Sequence, residues 1–175
     1  MDRVELRLSG SGGQGLILAG IILAEAALYD GMNVVQSQSY GPEARDGASK
    51  SEVIISKSEI KYPKVNECDI LLSLTQVACN KYINSLKPGG ILIIDTSVER
   101  PNRDDINIYE LPILDTATDK LKKPMVANII ALGALFEITK IVNKDSLKKA
   151  VLGRVPKGTE NLNKMALQEG FLIAN

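Results

Sequence analysis

The chain contains no histidine and no tryptophan. Without histidine, no Ser-His or Cys-His nucleophile, no imidazole proton shuttle and no histidine-ligated metal can be assembled from it. Aromatic residues make up only 4% of the sequence, too few for the stacking platforms that grip single-stranded nucleic acid. Its two cysteines, Cys68 and Cys79, do not form a C-x-x-C pair. Alone they build neither an iron–sulfur cluster nor a zinc site, and idle thiols in a reducing cytoplasm are the expectation. Lys plus Arg and Asp plus Glu balance at 21 each, so no basic surface is available for non-specific binding of nucleic acid. The longest apolar run, Leu16 to Ala24, is too short to span a bilayer and ends at Glu25. Met1-Asp2-Arg3 leads straight into a strand pattern, with no sign of a secretory leader.

What is present is ordinary in bulk and distinctive in one stretch. The 175 residues are 45% apolar and 24% charged, which suits one globular domain, 1–175, with a real core. Val4, Leu6 and Leu8 alternate with polar residues and read as a strand. Gly10-Ser11-Gly12-Gly13-Gln14-Gly15 follows, and then a long apolar helix to about Tyr29. Gly10, Gly12 and Gly15 fit the spacing G-x-G-x-x-G, in which a glycine turn brings the N–H groups at a helix start close to an anion. The same turn also lets a helix pack tightly on a sheet, and the motif alone leaves both readings open. A dinucleotide site also needs an acid at the end of the next strand to hold the ribose. Here Asn33 to Ser39 offers glutamine and serine instead, which argues against NAD.

Further along, Tyr40 to Ser49 is a loop rich in glycine, proline and charge, and Ser51–Ser56 is a strand. The link is too short for a parallel crossover, so strands two and three are expected to be antiparallel neighbours. Asp69–Leu74 reads as a buried strand, and a helix is expected over Gln76–Leu86, stopped by Lys87-Pro88-Gly89-Gly90. Strands are expected at Ile91–Asp95 and Asn107–Leu111, with a weak helical turn over Asp115–Leu121. A strong helix, Met125–Val142, carries small residues suited to close packing or a subunit contact. Asn143 or Asp145 caps a helix over Ser146–Leu152, and Thr159 caps a last one through Glu169, closed by Gly170. The pattern implies a single three-layer α/β/α, Rossmann-like domain whose mainly parallel sheet contains an antiparallel strand pair.

Three segments together resemble one family. They are Gly10-Ser11-Gly12-Gly13-Gln14-Gly15, the stretch Ser39-Tyr40-Gly41-Pro42-Glu43-Ala44-Arg45 with Gly47-Ala48-Ser49, and Asn128 through Gly133. The sequence is similar over nearly its whole length to the gamma subunit of the 2-oxoacid:ferredoxin oxidoreductases. The Tyr-Gly-Pro-Glu-Ala-Arg form is most like the 2-oxoglutarate type. One departure is Arg45-Asp46-Gly47, where the family usually has Arg-Gly-Gly.

The resemblance implies a non-catalytic subunit of a complex that decarboxylates a 2-oxoacid and passes electrons to ferredoxin while forming an acyl-CoA. Thiamine diphosphate, magnesium and the iron–sulfur clusters are then expected on partner subunits. Those partners are the alpha and beta subunits, with a delta subunit as a further candidate. This chain is expected to help bind CoA and cover the active site, and to be inactive and weakly self-associating when alone. Carried over residue by residue, Gly10, Gly12, Gly13 and Gly15 shape the turn, Gln14 hydrogen-bonds ligand or partner, Arg45 clamps a phosphate, and Asn128 faces the same crevice. A salt bridge to Glu43, Asp46 or a partner for Arg45, and a helix cap for Asn128, are the structural alternatives. A stand-alone nucleotide-binding or regulatory module is the competing reading of the whole chain.

Overall fold

The computed structural model of the protein describes residues 2–39 and 47–175. Six strands form one sheet: β1 (Arg3–Gly10), β2 (Asn33–Gln38), β3 (Ser49–Ser56), β4 (Cys68–Ser73), β5 (Leu86–Asp95) and β6 (Asn107–Leu111). Their order across the sheet is β2-β3-β1-β4-β5-β6. Strands β1, β4, β5 and β6 pair in parallel. The expected antiparallel pair β2–β3 is present, and β3 also runs antiparallel to β1, from Arg3 opposite Ser56 to Gly10 opposite Ser49.

Both faces of the sheet are covered, which is why the central strands are apolar on both sides. Leu6, Leu8, Val53, Ile55, Ile70, Leu72 and Ile93 face a core shared with α1 (Leu16–Tyr29), α3 (Ala127–Thr139), α4 (Lys144–Arg154) and α5 (Glu160–Ile173). Ile54, Leu71, Leu92 and Ile94 face a smaller core under α2 (Gln76–Tyr82). Among the described residues the three layers are therefore unequal, with α1, α3, α4 and α5 on one face and α2 on the other. No helix among the described residues is long and apolar enough to cross a membrane.

Several boundaries differ from the sequence reading. Helix α2 ends at Tyr82 and passes through a 3-10 turn, Ile83–Ser85, straight into β5. Lys87-Pro88-Gly89-Gly90 thus lies inside a strand, where the β4–β5 register shifts between Cys68 and Ile70. Gly89 takes a φ of 76° and its N–H donates to Asp105 O, so the glycines serve a bulge and not a helix stop. The turn expected at 115–121 is a helical turn, Ile113–Asp115, running into a π-helical stretch, Thr116–Lys120. Helix α3 is shorter than its apolar pattern. Pro124–Val126 is 3-10, and Lys140, at a φ of 48°, closes the helix by donating its N–H to Phe136 O.

The cap at Asn143 forms as expected, accepting from the Asp145 N–H. Thr159 precedes α5, but its side chain does not accept from the helix N–H groups. Gly170 does not close α5; it sits within it, against Gly133 of α3. The small residues of α3 are thus spent on packing inside the chain, and Phe136 and Phe171 meet edge to face beside the glycines, 5.3 Å between ring centres.

Candidate functional site

The glycine turn lies at the carboxyl end of β1, beside the end of β4. The helices that follow these two adjacent strands, α1 and α2, cover opposite faces of the sheet. This is a switch point, the place where open α/β sheets bind ligands. The strand ends are locked together. The Leu74 N–H donates to Ser9 O at 3.0 Å, the Ser9 hydroxyl donates to Leu72 O at 2.9 Å, and the Ser9 and Ser73 hydroxyls lie 2.8 Å apart.

Each glycine of the turn has a separate reason to be there. A Cβ at Gly10 would stand 2.3 Å from Gln14 Oε1 and 2.7 Å from Leu16 Cδ1. Gly13 and Gly15 take φ values of 86° and 74°, which side-chain-bearing residues rarely adopt. Gly12 and Gly13 form an exposed crest where an added Cβ would meet nothing within 4 Å. Gln14 turns inward, and its Oε1 accepts from the Ser11 N–H at 2.8 Å, closing the loop on itself. One N–H of the expected anion cradle is therefore already used. Gly12 and Gly13 remain the outward-facing part of the turn.

Asn128, at the start of α3, is brought to this turn from across the chain. Its Nδ2 donates to Gly15 O at 3.1 Å, and a Cβ at Gly15 would lie 2.6 Å from the same nitrogen. The structure thus gathers Gly10, Gly12, Gly13, Gln14, Gly15 and Asn128 at one end of the sheet. Arg45 and Asp46 lie outside the described residues. Of the flanking positions, Ser49 pairs directly with Gly10, and Gln38 at the end of β2 pairs with Ser51.

A buried polar cluster near α2 escaped the sequence reading, in which Arg7 was simply a polar alternate of β1. Arg7 and Glu52 stand opposite one another on β1 and β3 and are joined at 2.7 Å. Arg7 also donates to Val65 O at 2.9 Å and to the Ser85 hydroxyl, and its guanidinium lies 5.2 Å from the centre of the Tyr82 ring. Only the mirrored opposite charges on two neighbouring strands could have signalled it. The two thiols are buried as expected. Burial pushes Cys68 up to about 11 despite the nearby Arg7 guanidinium, and it raises Cys79 as well. Among the described residues no group of three or more histidine, cysteine or acidic side chains is arranged to hold a metal.

Fold and turn together define a class of α/β subunit. Residues 5–173 match the family model of the pyruvate ferredoxin/flavodoxin oxidoreductases. The chain belongs to that family and is of its gamma-subunit type. The 2-oxoglutarate synthase subunit KorC of Methanocaldococcus jannaschii is 51% identical to it, over 98% of this chain and 94% of the relative. The solved gamma subunit of a keto/oxoacid ferredoxin oxidoreductase from Geobacter sulfurreducens superposes with a TM-score of 0.88 at 50% identity, covering 98% of both chains. A 2-oxoglutarate:ferredoxin oxidoreductase from Magnetococcus marinus, with 2-oxoglutarate, coenzyme A and succinyl-CoA bound, shares the fold. Its TM-score is 0.88 at 22% identity, over 99% of this chain and 31% of that one.

Proposed function

We propose that residues 1–175 form one gamma domain, the gamma subunit of a 2-oxoglutarate:ferredoxin oxidoreductase in the cytoplasm. The complex converts 2-oxoglutarate, CoA and two oxidised ferredoxins to succinyl-CoA, carbon dioxide, one proton and two reduced ferredoxins. The observation that carries this reading is the end-to-end identity with KorC, 51% over 98% of the chain. The chemistry of the chain agrees with a supporting part. It has no histidine, and both of its thiols are held in their protonated form by burial. Thiamine diphosphate, magnesium and the clusters accordingly belong to the alpha, beta and delta subunits, and this chain is inactive alone.

In this reading the switch point receives CoA. The Gly12–Gly13 crest presents backbone N–H groups to its phosphates, Gln14 and Asn128 hold the turn in shape, and Arg45 supplies the positive charge. A charge-assisted hydrogen bond contributes about 1.5–3 kcal/mol. Arg45→Ala in the assembled enzyme therefore raises the apparent CoA constant roughly 10- to 150-fold, with Arg45→Lys in between because it keeps charge but loses the planar fork. The experiment is co-expression with the companion subunits, turnover of several 2-oxoacids, and CoA titration of both variants. A complex that prefers pyruvate refutes the substrate, and an Arg45→Ala enzyme with an unchanged CoA constant refutes the role of Arg45.

A further inference from the structure

The sheet has two edges, and they are finished differently. An edge strand presents unpaired N–H and C=O groups, and proteins guard such edges with charge, proline or a bulge. Strand β6 is guarded in this way. Asp104 and Asp105 precede it, exposed Glu110 is held by Arg100 at 3.0 Å, and Pro112 follows its last residue. Strand β2, at the other edge, has no such guard. Its six residues, Asn-Val-Val-Gln-Ser-Gln, include no charge, no proline and no glycine. It runs against β3 from Asn33 to Gln38 without a register shift, so no bulge turns it aside.

In an antiparallel ladder alternate residues spend both backbone groups on the neighbour, and the residues between them turn theirs outward. Outside the ladder with β3, Asn33–Ser37 make no backbone-to-backbone hydrogen bond. One side-chain bond reaches them, from Gln36 Nε2 to Ser37 O at 3.4 Å. The complement of such an edge is another extended strand. Self-association of the free chain needs a surface of this kind, because α3 is buried from Ala127 to Phe136 and is not available for it.

We infer that β2 is a pairing edge for a second copy of this chain. A half turn about an axis normal to the sheet sets β2 antiparallel to itself and keeps each face of the sheet continuous. With Val35 on the axis, Val35 meets Val35 of the second copy, Val34 falls opposite Gln36, and Asn33 falls opposite Ser37. No like charges meet, and a β-branched pair sits at the centre. Val34 already packs against the larger core and Val35 against the smaller, so the joined sheet continues both. A single strand pair is a small interface, and the dimer is therefore weak and concentration-dependent.

The test is the association of the free chain. In sedimentation velocity the dimer share of the parent rises with concentration, and amide exchange over 33–37 slows in step. Val35→Lys and Val35→Glu each weaken dimerisation about tenfold, since like charges then meet across the axis. An equimolar mixture of the two recovers the dimer, which also shows that both variants are folded. Val35→Cys joins two copies through a disulfide under mild oxidation, whereas the parent, with Cys68 and Cys79 buried, does not cross-link. A parent that stays monomeric at every concentration overturns the pairing. So does a dimer that neither charge weakens, or a pair of charged variants that mixing fails to rescue. Exchange over 33–37 that slows only when companion subunits are added gives the edge to a companion strand and overturns self-pairing. The gamma-subunit reading stands or falls separately, on assembly and turnover of the complex.

Discussion

Adding one methyl group at Gly170, at Gly133 or at Gly153 separates packing from propensity, because all three lie inside helices. A Cβ at Gly170 would stand 2.2 Å from Ile130 O and 2.8 Å from Gly133 Cα, and one at Gly133 would stand 2.5 Å from Leu167 O. Every obstacle is backbone, so no rotamer change relieves it, and α3 and α5 must move apart by about 1 Å to restore ordinary contact. That shift loosens the contacts of Phe136, Leu167 and Phe171, all buried between the helices. Overpacking of this kind costs about 1–3 kcal/mol, and a backbone obstacle belongs at the upper end. Alanine returns about 1 kcal/mol of helix propensity. The net loss for Gly170→Ala or Gly133→Ala is about 1–2 kcal/mol, or roughly 2–8 °C in Tm for a chain of this size. At Gly153 in α4 the added Cβ meets nothing within 4 Å. Gly153→Ala therefore gains about 0.5–1 kcal/mol and raises Tm. The assay is thermal unfolding of the free chain followed by circular dichroism, with urea titration to confirm the sign. If Gly170→Ala raises Tm as Gly153→Ala does, the close α3–α5 crossing is not what holds these helices together.

Two other outcomes follow from the titratable groups. Glu25 of α1 accepts from Arg154 of α4 at 2.5 Å and from the Tyr29 hydroxyl at 2.7 Å, and these bonds, Arg154 first, hold its carboxyl below the usual 4.5. A depressed folded value stabilises above the unfolded one, and that contribution is lost as pH falls through the folded value. The Tm gap between the parent and Glu25→Gln is thus widest above pH 5 and closes in acid; a gap that persists undiminished to pH 3 refutes the link. With Cys68 pushed up to about 11 and Cys79 raised by burial, the native chain resists iodoacetamide at pH 8, and both thiols label only in guanidinium. Rapid stoichiometric labelling of the folded chain contradicts their burial.

Local features of the chain determined the first βα unit. Alternation over Val4–Leu8, glycines at the turn and an unbroken apolar run after them each dictate backbone geometry within a few residues. The short connection between Ser39 and Ser49 likewise determined that β2 and β3 run antiparallel, since chain length alone forbids the crossover. The lack of histidine ruled out much side-chain chemistry before any fold was known. Other residues took their meaning only from distant partners. Gly170 reads locally as a helix stop, and the backbone of Gly133 makes it a packing glycine within α5. Gly89 and Gly90 read the same way, yet they belong to a bulge whose partner is β4. Arg7 reads as a solvated alternate until Glu52 and α2 close over it. Asn128 reaches the glycine turn from 113 residues away. Backbone preference is a short-range property of the chain, whereas burial and hydrogen-bond partnership are settled by what the tertiary fold sets alongside each residue.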